Sequence, residues 1–311
     1  MRILTEVRIT PVYFSSLKSM NIALWRFSDR IAPVSSPRRT TIRSLHITRE
    51  IITMHPLVNI AVSAVRQASR LPMHGIDKVT PTTKNPLEFL TALEVKAEQI
   101  MVDVIKAAYP EHAISAKQGG NIAGKDITWL IDSLDGSTNF LNGTPHFATT
   151  IAIIENGRVQ HSVIYDPMTD ELFTATRGRG ASVNGRRLRV TSKKELNTCI
   201  LGTTFPSSNE NNGAVKLAVF NDFVSQCKDI RITGTASLDL AYLAAGRLDA
   251  IWHFGLSEWE ISAASLMIQE AGGLIDDMNG QQKFIDKGDL IAASPKTFKL
   301  MAKTIQANLK K

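Results

Sequence analysis

The chain has 311 residues, 43% of them hydrophobic and 21% charged, enough for one large domain or two smaller ones with an ordinary core. Its formal net charge of +7 is unevenly placed: residues 1–53 hold nine Lys/Arg against three acids, and the other 258 residues hold 27 against 26. A nearly neutral body gives no direct nucleic-acid signal, and no apolar run approaches the roughly 18 residues of a membrane span.

Residues 1–53 show no sustained period of 3.6 or 2 and mix Ser, Thr, Arg and Pro. They read as a poorly ordered basic extension, with an organelle-targeting leader as the alternative. From Met54 the pattern becomes regular. Leu57, Ile60, Ala61, Ala64 and Val65 predict a helix over 56–70, and Leu90, Leu93, Ala97, Ile100 and Val104 another over 87–107. Strands are predicted at 113–115 and 127–131. Runs 147–154 and 159–166 flank Asn156-Gly157, and runs 180–183 and 186–190 flank Asn184-Gly185. Asn-Gly marks a tight hairpin because both central residues need positive φ. Helices follow at 238–246 and at 259–271, the latter closed by Gly272-Gly273. Blocks of helix and strand predict a layered α/β domain over 54–311. Cys199 and Cys227 match no metal or redox spacing and read as reduced thiols of a cytoplasmic protein.

The chemistry concentrates in residues 129–140, WLIDSLDGSTNF. A strand ending in a turn can aim Asp132, Asp135 and the Leu134 carbonyl at one point, an all-oxygen set suited to Mg²⁺. Gly136, Ser137 and Thr138 then offer N–H groups and hydroxyls to a phosphate; the plain alternative is a common Asp-Gly turn. Glu260, in GLSEWE, reads either as a helix-favouring acid or as a carboxylate returning to that metal.

The stretch 129–140 resembles the W-x-I-D-P-L-D-G-T-x-N-F signature of the inositol monophosphatase family. Trp259-Glu260-Ile261 with Glu270-Ala271-Gly272-Gly273 is similar to that family's second signature, and Met54–Ala61 to the start of its bacterial SuhB type. The resemblance runs from about Met54 to the C-terminus. It implies an αβαβα sandwich and Mg²⁺-dependent hydrolysis of inositol monophosphate or a similar small phosphate monoester. Carried over by position, Asp132, Leu134, Asp135 and Glu260 are metal ligands. Gly136, Ser137, Thr138, Gly234, Thr235, Ala236 and His253 meet the substrate, and Asp132, Asp135, Ser137 and the residue at 117 are catalytic. The family commonly forms dimers, so a homodimer is expected. Relatives of the SuhB type are associated with transcription antitermination through NusA and RNA polymerase.

Several positions depart from the family pattern. Where the family reads H-x-I-x-x-E-E-x-G, this chain reads HAISAKQGG, with Lys117 at the metal-binding Glu and Gln118 beside it. Ser133 replaces Pro, which would loosen the turn, and Ser137 replaces Thr. Glu260 replaces Asp, His253 replaces an acid, and Glu94 ends a T-x-x-D stretch. Four acidic positions of formal charge −4 become −2 through Lys117. At about 4 Å and an effective dielectric near 20, each unit charge product is worth of order 4 kcal/mol. Metal affinity should therefore fall far more than tenfold. The sequence thus predicts either a phosphatase of reduced Mg²⁺ affinity and weak or lost activity, or a non-catalytic binding factor.

Overall fold

The computed structural model describes residues 54–78, 85–205 and 213–309, so the basic extension at 1–53 lies outside the described residues. Helices are α1 (Pro56–Ala68), α2 (Arg70–Gly75), α3 (Pro86–Ala108), α4 (Ser137–Leu141), α5 (Gly213–Gln226), α6 (Ala236–Ala244), α7 (Glu258–Glu270), α8 (Phe284–Lys287) and α9 (Pro295–Leu309). Strands β1 (His112–Ala116), β2 (Gly120–Ile122), β3 (Lys125–Asp135), β4 (Ala148–Glu155), β5 (Arg158–Asp166), β6 (Glu171–Thr176), β7 (Gly180–Val183) and β8 (Arg186–Arg187) form one sheet in the order β2-β1-β3-β4-β5-β6-β7-β8. Strands β9 (Ile200–Gly202), β10 (Asp229–Arg231), β11 (Ala250–His253), β12 (Leu274–Asp276) and β13 (Leu290–Ala293) form the other, ordered β10-β9-β11-β13-β12.

Side-chain alternation along β3 explains the layering. Trp129 and Ile131 point to one face and pack with Ala61, Val65, Met101 and Ile105 of α1 and α3. Leu130 points to the other face, into a core shared with α6, α7 and the small sheet through Leu240, Met267 and Ala292. The far side of the small sheet is closed by Val219 and Phe223 of α5 and by Met301 and Ile305 of α9, against Leu201 and Trp252. Helices, sheet, helices, sheet, helices: the αβαβα sandwich is present.

Both Asn-Gly hairpins form with positive φ at each central residue: 52° and 70° at Asn156 and Gly157, and 47° and 75° at Asn184 and Gly185. The strand predicted over 186–190 stops at Arg187. Leu188 still donates to Ala181, but Val190 donates to the Ala271 carbonyl at the end of α7, which draws the chain off the sheet.

Ile151 is fully buried where β4 meets the α1–α3 layer. Ile151→Ala should cost about 2–5 kcal/mol in urea unfolding, whereas Leu87→Ala, at a side chain 68% exposed, should stay within roughly 0.5 kcal/mol.

Candidate functional site

Strand β3 ends in an irregularity. Its register against β4 shifts between Asp132 and Asp135, and the Leu134 N–H turns back to Asp132 Oδ1 at 3.0 Å. Gly136 follows at φ 96°, where a Cβ would stand 2.5 Å from Thr235 Oγ1. Only glycine meets both demands, so the turn that aims the two aspartates is written into the sequence. Ser133 does not loosen this turn. It is buried, its hydroxyl donates to the Glu94 carbonyl at 3.2 Å, and its own carbonyl accepts from Thr149 at 2.9 Å.

Three other segments converge on this end of β3. Helix α3 brings Glu94 and Glu98, one turn apart and 3% and 2% exposed. The β1–β2 turn brings Lys117, Gln118 and Gly119. The start of α6 brings Ser237, whose N–H donates to Asp135 Oδ2 at 2.8 Å. Lys117 Nζ stands 2.8 Å from Asp132 Oδ2, forming an ion pair whose acid is 1% and whose base is 26% exposed.

Asp132, Glu94 and Glu98 accept from protein donors. Asp132 takes Lys117 on one oxygen and the Leu134 amide on the other. Glu94 takes the Ser137 hydroxyl at 3.0 Å and the Gln118 side-chain amide at 3.0 Å. Glu98 takes the backbone amides of Gln118 at 3.1 Å and Gly119 at 2.7 Å. Gln118 is thus more than a missing acid: a glutamate there would set a second carboxylate against Glu94.

Burial dominates the electrostatics. It lifts the Glu98 carboxyl from 4.5 to about 7 against the two turn amides. It lifts Asp135 from 3.8 to about 7, with Asp132 and Glu260 adding to the rise. Burial also raises Glu94, opposed by the Ser137 hydrogen bond. For Lys117 burial works to discharge the amine, but Asp132, Asp135 and Glu260 overcome it and hold the ammonium above the ordinary lysine value.

The structure gathers most of the expected site residues, in altered roles. Ser137 gives its hydroxyl to Glu94, and Thr138 is exposed. Glu260 caps its own helix, Oε2 accepting from Ser257 N at 2.7 Å and from Ser257 Oγ at 2.6 Å in a capping box on α7, while its charge still reaches Lys117, Asp132 and Asp135. Gly234, Thr235 and Ala236 do reach the turn, held by Asn139 Nδ2 on Thr233 O at 2.8 Å and by Thr235 Oγ1 on His146 O at 2.9 Å. His253 is buried on β11, its Nδ1 3.4 Å from Thr204 Oγ1, and burial lowers it to about 4, so it is neutral. Sequence periodicity misses Glu98 because it runs the apolar stripe through Ile100 and Val104, which are half-buried. The face turned inward is Leu90, Leu93, Glu94, Ala97, Glu98, Met101 and Ile105. An acid four residues after another on that face is the signal that could have found it.

The two-sheet, five-layer fold thus sets paired aspartates at a strand end facing the start of α6. Residues 50–310 match the inositol monophosphatase family, and the chain belongs to it. It is 46% identical over 265 residues to the Nus factor SuhB of Pseudomonas aeruginosa, covering 82% of this chain and 98% of that one. It is 40% identical over 261 residues to the Nus factor SuhB of Escherichia coli K12, with 82% and 98% covered. The extragenic suppressor protein suhB of Bartonella henselae superposes with a TM-score of 0.74 at 32% identity, over 81% of this chain and 100% of that one. An inositol monophosphatase from Anabaena gives 0.71 at 29% identity, over 81% and 95%.

The raised carboxyl of Glu98 sets a pH dependence. Between about 4.5 and 7 the folded chain keeps a proton there that the unfolded chain releases, so stability falls as pH rises through that window. The melting temperature of Glu98→Gln relative to the unmodified chain should therefore rise from pH 5 to pH 8; a constant difference across that range would remove Glu98 from the account.

Proposed function

We propose that this protein keeps the inositol monophosphatase fold but has lost efficient Mg²⁺-dependent hydrolysis of phosphate monoesters, and that it acts by binding. The observation carrying this reading is the Lys117 ammonium 2.8 Å from Asp132 Oδ2. An Mg²⁺ ion needs near-octahedral oxygen ligands at about 2.0–2.1 Å. A cation already pressed on Asp132 would have to leave, and repels the ion while it stays.

The residues present do not fit the metal that the family implies. Among the described residues no group of three or more His, Cys, Asp or Glu is arranged to hold a metal ion. Of the oxygens that would serve it, both of Asp132 are taken, by Lys117 and Leu134, as are one of Asp135, by the Ser237 amide, and one of Glu260, by Ser257. The geometry supports a set of carboxylates neutralised from within by an ammonium, an amide side chain and backbone N–H groups.

A second reading follows from the likeness to proteins named Nus factor SuhB, at 46% and 40% identity. It makes this chain a non-catalytic factor in transcription antitermination, a role that would require only the fold and its surface. The two readings are compatible.

The test pairs turnover with metal binding. The unmodified chain should show negligible Mg²⁺-dependent hydrolysis of inositol 1-phosphate and no Mg²⁺-induced rise in melting temperature. Lys117→Glu/Gln118→Glu should gain such a rise, because a ligand that binds only the folded state stabilises it. Robust turnover by the unmodified chain would overturn the reading.

A further inference from the structure

The near-neutral charge of the body conceals an asymmetry. Residues 172–194 contain seven basic side chains and no acid, while the rest of residues 54–311 carries 20 basic and 26 acidic side chains. Arg177, Arg179, Arg186, Arg187, Arg189 and Lys194 are exposed. Among the described residues none of these six makes an ion pair. The seventh, Lys193, pairs with Asp249 at 2.8 Å.

The fold collects these charges at one rim. Strand β8 is the outermost strand of the large sheet and pairs only with β7, Arg187 opposite Ser182 and Arg186 opposite Val183. The Arg187 guanidinium folds over Gly180, 3.4 Å from where a Cβ would stand, which carries it to the β6–β7 turn bearing Arg177 and Arg179. That turn is fixed from below. Glu270 of α7 accepts the Gly178 and Gly180 amides at 2.7 and 2.8 Å. The nearby acids are engaged: Glu270 with those amides, Glu171 with Arg247, and Asp170 with the Tyr165 hydroxyl.

Between the arginines lies a cavity of about 210 Å³ whose lining sets Arg179, Arg187, Thr174, Thr176 and Ser182 beside the apolar side chains of Met54, Val58 and Leu172. Protecting a sheet edge from strand addition would explain charges on β8. It does not explain arginines on the turn across β7, nor a concave surface that pairs guanidinium forks with hydroxyls.

We propose that this rim binds the phosphodiester backbone of a single nucleic-acid strand, seating one phosphate in the cavity between Arg179 and Arg187. Guanidinium forks and Ser/Thr hydroxyls are the side chains that contact phosphate oxygens, and such contacts read no sequence. A row of cations along an edge, none of them in an ion pair, suits a polymer of regular charge. An acidic protein partner fits less well, since residues 172–194 hold no exposed large apolar side chain and Met54 is the one such side chain lining the cavity, too little to anchor a protein interface. The surface is separate from the Lys117 cluster, and the inference does not rest on the loss of hydrolysis.

The test measures fluorescence anisotropy of a labelled single-stranded RNA with the full chain at several salt concentrations. Arg179→Glu/Arg187→Glu should weaken binding roughly tenfold or more and make the salt dependence shallower, by about 0.7 in log–log slope for each phosphate that is no longer neutralised. Lys299→Glu/Lys303→Glu, on α9, makes the same change in net charge and should shift affinity less than about twofold by the same reasoning. Both variants retain residues 1–53, so their difference reports the rim. Arg179→Gln/Arg187→Gln, a milder pair, should fall between them and guards against misfolding, checked by melting temperature. Equal losses of affinity in the two charge-reversed proteins would overturn the proposal, as would absence of RNA binding by the unmodified chain. Polyglutamate competing as well as RNA would also overturn it in favour of a protein partner, and so would a rim variant that only changes the oligomeric state.

Discussion

A buried ion pair between Lys117 and Asp132 governs how the rest of this site is wired. Asp132 is 1% exposed at the end of β3, within the field of Asp135 and Glu260. A carboxylate so placed requires a positive partner or a proton. In this chain the partner is covalently tethered, and the surrounding donors follow from that choice. Gln118 offers an amide to Glu94, and the backbone of the same turn offers two N–H groups to Glu98. The short turn from Lys117 to Gly119 thereby ties helix α3 and the end of β3 together through Glu94, Glu98 and Asp132.

Buried ion pairs are weak evidence of stabilisation, because desolvation offsets much of the attraction. Their stronger consequence is selectivity. With the pair intact, a divalent ion beside Asp132 would meet the Lys117 ammonium, while burial, reinforced at Asp135 by Asp132 and Glu260, raises Glu98 and Asp135 to about 7. The fold tolerates this because its layers are held by apolar packing elsewhere, in clusters that do not involve the site. The family scaffold keeps its packed layers around this altered set of carboxylate partners.

Much of this was legible in the sequence. Periodicity placed α1, α3, α6, α7 and several strands of the large sheet, Asn-Gly placed both hairpins, and the two signatures named the family and its five-layer sandwich, but α5, α9 and the short strands of the second sheet carried no pattern strong enough to mark them. The change of charge at Lys117 was legible, but that its amine rests on Asp132 rather than Asp135 was not. Other features depended on distances no linear pattern carries. Ser137 points back at Glu94 rather than outward, Glu260 closes its own helix with Ser257, and Ser133 braces the turn it was expected to loosen. The basic rim was hidden for a different reason: a charge total averages over the surface, and only the pairing of β7 with β8 and the turn over Gly180 bring its arginines together.

The most direct test of the central claim is anomalous diffraction from crystals grown with Mn²⁺ as a stand-in for Mg²⁺. The account predicts no anomalous peak beside Asp132 and Asp135, with the Lys117 amine still seated on Asp132. A strong peak coordinated by both aspartates, with the lysine displaced into solvent, would contradict it.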